Sequence, residues 1–121
     1  MEHFHFRGDS VALKGSQLVF ESLKSNCTLI TLDLKYMCIG DEDVKIICEM
    51  LKTNFNLKIL HLERSKLDSY AAYSIFEALK SNFTLTELHL GNNSIGNNCV
   101  KFIFESLKFN NSLSTLNLEG N

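Results

Sequence analysis

Leu85-Thr86-Glu87-Leu88-His89-Leu90-Gly91-Asn92-Asn93-Ser94-Ile95 decides the fold, because its pattern returns at a fixed interval on both sides. Twenty-eight residues upstream stand Leu57, Leu60, Leu62, Ser65 and Leu67, and twenty-eight further back Leu29, Leu32, Leu34, Met37 and Ile39. Downstream come Leu113, Leu116, Leu118 and Asn121, while a weaker copy, Met1, Phe4, Phe6, Asp9 and Val11, opens the chain. The back half of the period carries its own signature. Glu21, Glu49, Glu77 and Glu105 share one phase, Leu23, Leu51, Leu79 and Leu107 a second, Lys24, Lys52, Lys80 and Lys108 a third, and Asn26, Asn54, Asn82 and Asn110 a fourth. The chain thus divides into four full units (1–28, 29–56, 57–84, 85–112) and a strand-only fifth (113–121), read as one domain over residues 1–121.

In the front half of a unit the apolar residues alternate, as Leu60 and Leu62 do around His61, which is the period-two pattern of a strand with one buried face. In the back half they recur at three and four, as in Val44, Ile47, Cys48, Leu51; Ala72, Ile75, Phe76, Leu79; and Val100, Ile103, Phe104, Leu107, which is one face of a helix. Gly40 and Gly96 mark the bend between the halves, with Asp41, Ser69 and Asn97 as expected helix caps. The Asn column suits the left-handed residue that ends a helix. Glu–Lys pairs three apart support each helix by roughly 0.2–0.5 kcal/mol.

The template LxxLxLxxNxL resembles the leucine-rich repeat, and the period with a helical second half resembles its ribonuclease-inhibitor-like class. That resemblance implies an α/β, right-handed solenoid, a short horseshoe segment with parallel strands on the concave face and helices on the convex face. Strands pair at about 4.8 Å while helices pack no closer than about 8–10 Å, so stacked units must curve toward the strands. In the family the inward Asn at the ninth position bonds the backbone of the turn between units. Asn93 and Asn121 match, Asp9 and Ser65 are partial substitutes, and Met37 is not, which makes the turn after the second strand the expected point of departure from the family geometry.

Composition sets outer limits. The chain has 121 residues, is 45% hydrophobic and 21% charged, and has formal net charge −2, which is ordinary for a globular domain and gives no pull toward nucleic acid or acidic membranes. No apolar run approaches the roughly 18–20 residues of a membrane helix. The opening residues fit the repeat and lack a secretion signal, so a cytoplasmic location is expected. Cys27, Cys38, Cys48 and Cys99 fall at four different phases, which points to free, mostly buried thiols. Arg7-Gly8-Asp9-Ser10 spells an integrin tripeptide, but its Asp sits at an inward position of the repeat.

Positions three, five and seven of each strand point outward and form the face a partner meets. They supply His3, His5 and Arg7; Asp33 and Lys35 beside Thr31; Ile59, His61 and Glu63; Glu87 and His89 beside Gly91; and Asn117 and Glu119 beside Thr115. Position five, His5-Asp33-His61-His89-Asn117, is one ladder across five strands, a titratable recognition stripe against the alternative of a plain solvated face. His61, His89 and Glu87 offer zinc-type donors, but with no supporting pattern readable no metal or other cofactor is assigned. No catalytic motif occurs and an enzyme is not expected. The sequence therefore points to a protein-interaction module that binds a protein partner through the concave face. The alternative is a structural or assembly fragment of a longer repeat protein, which self-associates through uncapped ends as a homodimer joined at the C-terminal end.

Overall fold

In the computed structural model, residues 1–6, 13–54 and 56–121 are described, with 13–17 as helical backbone only. Arg7 and Asp9 therefore lie outside the described residues. Among the described residues five strands alternate with four helices: β1 (His3–His5), α1 (Leu13–Lys24), β2 (Thr31–Asp33), α2 (Asp41–Thr53), β3 (Ile59–His61), α3 (Ser69–Leu79), β4 (Glu87–His89), α4 (Val100–Leu107) and β5 (Thr115–Asn117), with a 3-10 turn at Asn97–Cys99 leading into α4. The strands form one parallel sheet in chain order, and the register steps by one repeat each time: Phe4, Leu32, Leu60, Leu88 and Leu116 lie side by side.

The alternation in the sequence is the alternation in space. Leu32, Leu34, Leu60, Leu62, Leu88 and Leu90 are all completely buried, and they meet Val44, Ile47, Leu51, Ala72, Ile75, Phe76 and Leu79 from the helices in one continuous core. The outer units are less covered. Phe4, Phe6, Leu113, Leu116 and Leu118 are only partly buried against that core. On α4 the expected apolar face is split: Ile103 is buried and Leu107 partly so, but Val100 and Phe104 are 41% and 59% exposed, where their counterparts Ala72 and Phe76 one unit earlier are 1% and 0%. The difference is packing, since α4 covers Ala72 and Phe76 whereas nothing lies beyond Val100 and Phe104 among the described residues.

The Asn column does not do what its sequence position suggests. Asn54 has an extended backbone (φ −91°, ψ 121°), and none of Asn26, Asn54, Asn82 and Asn110 has a positive φ. Their side chains act instead. In each unit Oδ1 accepts from the backbone N–H groups two and three residues on, for Asn82 those of Thr84 (3.2 Å) and Leu85 (2.9 Å). Nδ2 then reaches into the preceding unit: Asn54 donates to the Asn26 carbonyl, Asn82 to Leu51, and Asn110 to Leu79, each at 2.8 Å. A buried polar side chain is tolerable only when its hydrogen bonds are made, and this column is buried and paired from Asn54 onward.

A second column works on the opposite end of the strands. The Asn93 amide accepts from Ser65 N (2.9 Å) and Leu67 N (3.1 Å) and donates to the Leu62 and Leu90 carbonyls (2.9 Å each). Asn121 repeats this with Ile95 N and the Leu90 carbonyl. Ser65, fully buried, substitutes through a hydroxyl donated to the Leu34 carbonyl at 3.0 Å. Met37 is simply buried in the core, and the turn around it keeps its shape: Tyr36 N donates to Glu63 O and Ile39 N to Ser65 O. The departure expected there does not occur, because the next unit's backbone bonds hold the turn without a polar side chain.

That turn contains a residue type the sequence did not reveal. Tyr36, Arg64, Asn92 and Gly120, at the eighth position of the second to fifth units, are all left-handed, with φ between 54° and 72°. The conformation costs a non-glycine residue on the order of 1 kcal/mol, and each of the three side-chain-bearing residues sends its N–H to the seventh residue of the next unit, as Arg64 does to Gly91 O at 3.1 Å. The Arg64 guanidinium also lies over the Tyr36 ring, 5.7 Å from its centroid. The helix caps fall one residue earlier than expected. Asp68, not Ser69, caps α3 through Ala71 N (2.9 Å), and Gly40, not Asp41, precedes α2, its N–H bonded to Asp43. Asn97 opens the 3-10 turn instead of capping α4, and of the two turn glycines only Gly96 has a positive φ.

Leu88→Ala is expected to cost about 2–5 kcal/mol, since it empties a fully buried site in a central unit. Thr86→Ala, which loses one half-exposed hydroxyl bond to the Lys58 carbonyl, is expected to cost about 1 kcal/mol or less. Urea unfolding midpoints of the two variants measure the difference directly.

Candidate partner-binding face

Between β2 and β4 the outward side chains are drawn into one network. Asp33 Oδ2 is 3.2 Å from His5 Nδ1 and 3.8 Å from Lys35 Nζ, and Lys35 is also 3.8 Å from Glu63 Oε1. Glu63 Oε1 in turn lies 3.3 Å from His61 Nδ1, and Glu87 Oε2 lies 3.2 Å from His89 Nε2. The imidazoles of His61 and His89 stack, with centroids 4.5 Å apart and planes at 20°. Strand register makes these meetings inevitable: residues one repeat apart sit side by side, so the fifth-position ladder of His5, Asp33, His61, His89 and Asn117 exists as five neighbouring rungs.

Not every predicted residue joins. His3 and Glu119 are exposed at the outer strands, Ile59 and Asn117 are half-buried, and the Asn117 Oδ1 accepts from Glu119 N, whereas His5 is exposed but joined to Asp33. Arg7 lies outside the described residues. The donor set His61–His89–Glu87 is corrected as well. Glu87 pairs with His89, but the three groups whose donor atoms all lie within 4.8 Å of one another are His61, Glu63 and His89. Two positions apart on one strand was the spacing that puts Glu63 on the same side as His61, and it was available in the sequence.

Burial raises the pKa of Asp33, but this is outweighed by the Lys35 backbone N–H, the His5 ring and the positive charge of Lys35, so its carboxyl stays below the ordinary range. Elsewhere charge serves the helices. Lys24 pairs with both Glu21 and Glu49, a link across units, and Lys80 with Glu77, each on the helical side. A shallow depression of about 340 Å³ between α2 and α3 is lined by Lys45, Cys48, Glu49, Lys52, Ser74 and Glu77, well away from the strand face. The thiols divide evenly: Cys48 and Cys99 are buried, and burial pushes Cys48 up to about 11, but Cys27 and Cys38 are exposed because they sit in the loop before β2 and in the turn after it. Among the described residues no helix is long and apolar enough to cross a membrane.

The parallel one-repeat register, the helix behind each strand and the bonded asparagine at the turn are those of a leucine-rich repeat array, and the chain has the leucine-rich repeat fold. The family model for the leucine-rich repeat matches residues 25–48 and 81–103, the β2–α2 and β4–α4 segments. Among solved structures the chain is similar to leiomodin-1 actin-binding site 2, at 24% identity and TM-score 0.88, over 98% of this chain and 70% of that one. Comparison with curated protein sequences gives no match.

The depressed Asp33 carboxyl has a signed consequence. A group whose folded pKa lies below its unfolded value stabilises the fold above the unfolded pKa and loses that contribution as pH falls through the folded one. Asp33→Asn is therefore expected to flatten the fall in melting temperature between about pH 5 and about pH 2 relative to the unaltered chain, as thermal denaturation followed by circular dichroism would record.

Proposed function

We propose that the chain is a non-catalytic interaction module that binds a protein partner through its concave strand face. One observation carries this reading. Asp33, Lys35, His61, Glu63, Glu87 and His89 stand together, half-exposed, on a rigid sheet whose folding is secured by the leucines on its other side. Half-buried charges in a paired network lose side-chain entropy when the protein folds rather than when it binds, which lowers the cost of association. A solved structure with this fold, from leiomodin-1, is an actin-binding site. That gives a precedent for the architecture as a binding platform and leaves the chemistry of this partner to this chain's own face. Two exposed free thiols, Cys27 and Cys38, fit a reducing compartment such as the cytoplasm.

A second reading has its own observation. Val100 and Phe104 make an apolar flank beyond α4, suited to contact with a further repeat unit or with the C-terminal end of a second copy. Light scattering over a concentration series separates these, since a mass that grows and is returned to monomer by Phe104→Glu supports the second copy.

The strand-face reading is tested by affinity capture with Lys35→Glu, Glu63→Lys and Glu87→Lys beside Glu42→Lys on the helical side. Each strand-face swap is expected to weaken a specific partner by about tenfold or more, with Glu42→Lys without effect. Identical binding by all four variants would remove the reading.

A further inference from the structure

We propose that His61, Glu63 and His89 form a binding site for a divalent cation of the zinc class. His61 on β3 and His89 on β4 are register partners, so their rings are held side by side by the sheet itself. Glu63, two residues beyond His61, returns to the same side and brings Oε1 within 3.3 Å of His61 Nδ1. One donor atom from each of the three residues lies within 4.8 Å of the others. A tetrahedral cation with bonds of about 2.1 Å holds its donors about 3.4 Å apart, so closure needs side-chain rotation of about an ångström and no movement of the backbone. Two imidazoles and one carboxylate suit zinc and its neighbours rather than magnesium or calcium, which take oxygen donors.

Three further features agree. Glu63 Oε2 is shut off from solvent and has no hydrogen-bond partner among the described residues, a desolvated carboxylate oxygen whose cost a bound cation would offset. Glu87 pairs with the His89 ring, the kind of carboxylate support that fixes an imidazole's tautomer in metal sites and that spacing alone did not disclose. Gly91, one repeat on from Glu63, brings no side chain to compete for the cation; a Cβ there would stand only in ordinary contact, 3.8 Å from Glu63 Cγ. The charges nearby are Asp33, Glu63 and Glu87 against Lys35, and Lys35 is equally near Asp33, so it keeps a partner when Glu63 takes a cation. The three side chains remain about one-fifth exposed, which leaves a fourth coordination position open to water or to a donor from a partner.

The test needs no partner, so it stands or falls separately from the binding role. Zinc chloride is titrated calorimetrically into the full chain with its thiols reduced, alongside His61→Gln, Glu63→Gln, His89→Gln, His5→Gln and Cys27→Ser/Cys38→Ser, all checked for an unchanged circular dichroism melt. One equivalent is expected to bind, each of the three site variants weakening it by at least about tenfold, with His5→Gln and the double serine variant unchanged. Cobalt substituted for zinc is expected to give ligand-field bands without a thiolate charge-transfer band. Absence of saturable binding, binding that survives His61→Gln and Glu63→Gln, or loss in the double serine variant would each overturn the proposal. Because the three replaced groups are partly exposed and glutamine keeps their bulk, these variants are expected to fold, and Glu63→Gln alone suffices if a histidine variant does not.

Discussion

Every strand here is only three residues long, so the buried backbone of each unit that belongs neither to strand nor to helix must find its hydrogen bonds elsewhere. That is the constraint the structure answers, and it answers with asparagine. Asn54, Asn82 and Asn110 tie the entry of each strand to the unit before it, and Asn93 and Asn121 tie the exit. A side-chain amide both donates and accepts at fixed geometry, so one residue closes its own turn with Oδ1 and grips its neighbour with Nδ2. Leucine burial supplies the driving force and decides which face of each strand turns inward; the amides add the directional bonds that tie each unit to the next.

Once register is set, the outward face follows without further instruction. Side chains of like position must become neighbours, and a column with mixed charge and imidazole becomes a connected network. The contrast with the helical side is instructive. Its ion pairs run mainly between Glu and Lys three apart on one helix, where solvent screening leaves each worth little. The strand face instead links charges between units, at sites half withdrawn from water, where such contacts resist salt better.

Much of this was legible in the sequence. The leucine columns gave strand faces, helix faces and curvature because burial repeats with the backbone's own periods. The Asn column was visible but its role was misassigned: a conserved phase at a helix end suggests a backbone conformation, whereas here the side chain does the bonding. The left-handed eighth position is announced by Asn92 and Gly120 in two units but masked by Tyr36 and Arg64 in two others, so no column of one residue type marks it. At Met37 the departure expected from side-chain chemistry did not occur because the turn is held by backbone bonds. The site was half legible. Spacing placed His61 beside His89 and Glu63 and Glu87 on the same side, but which carboxylate closes the group of three with both rings depends on rotamers, which no repeat pattern encodes.

The claim that amides fix the stack is tested most directly by comparing Asn82→Ala with Asn26→Ala in equilibrium urea unfolding. Asn82 is fully buried, and its loss strands the Leu51 carbonyl and the N–H groups of Thr84 and Leu85. At roughly 1–3 kcal/mol for each unsatisfied group, a cost of about 3 kcal/mol or more is expected. Among the described residues the Asn26 side chain bonds only within its own turn, to Thr28 and Leu29 at a half-exposed site, and its replacement is expected to cost less than half as much. Equal midpoints for the two variants, or an Asn82→Ala chain as stable as the unaltered one, would contradict the account.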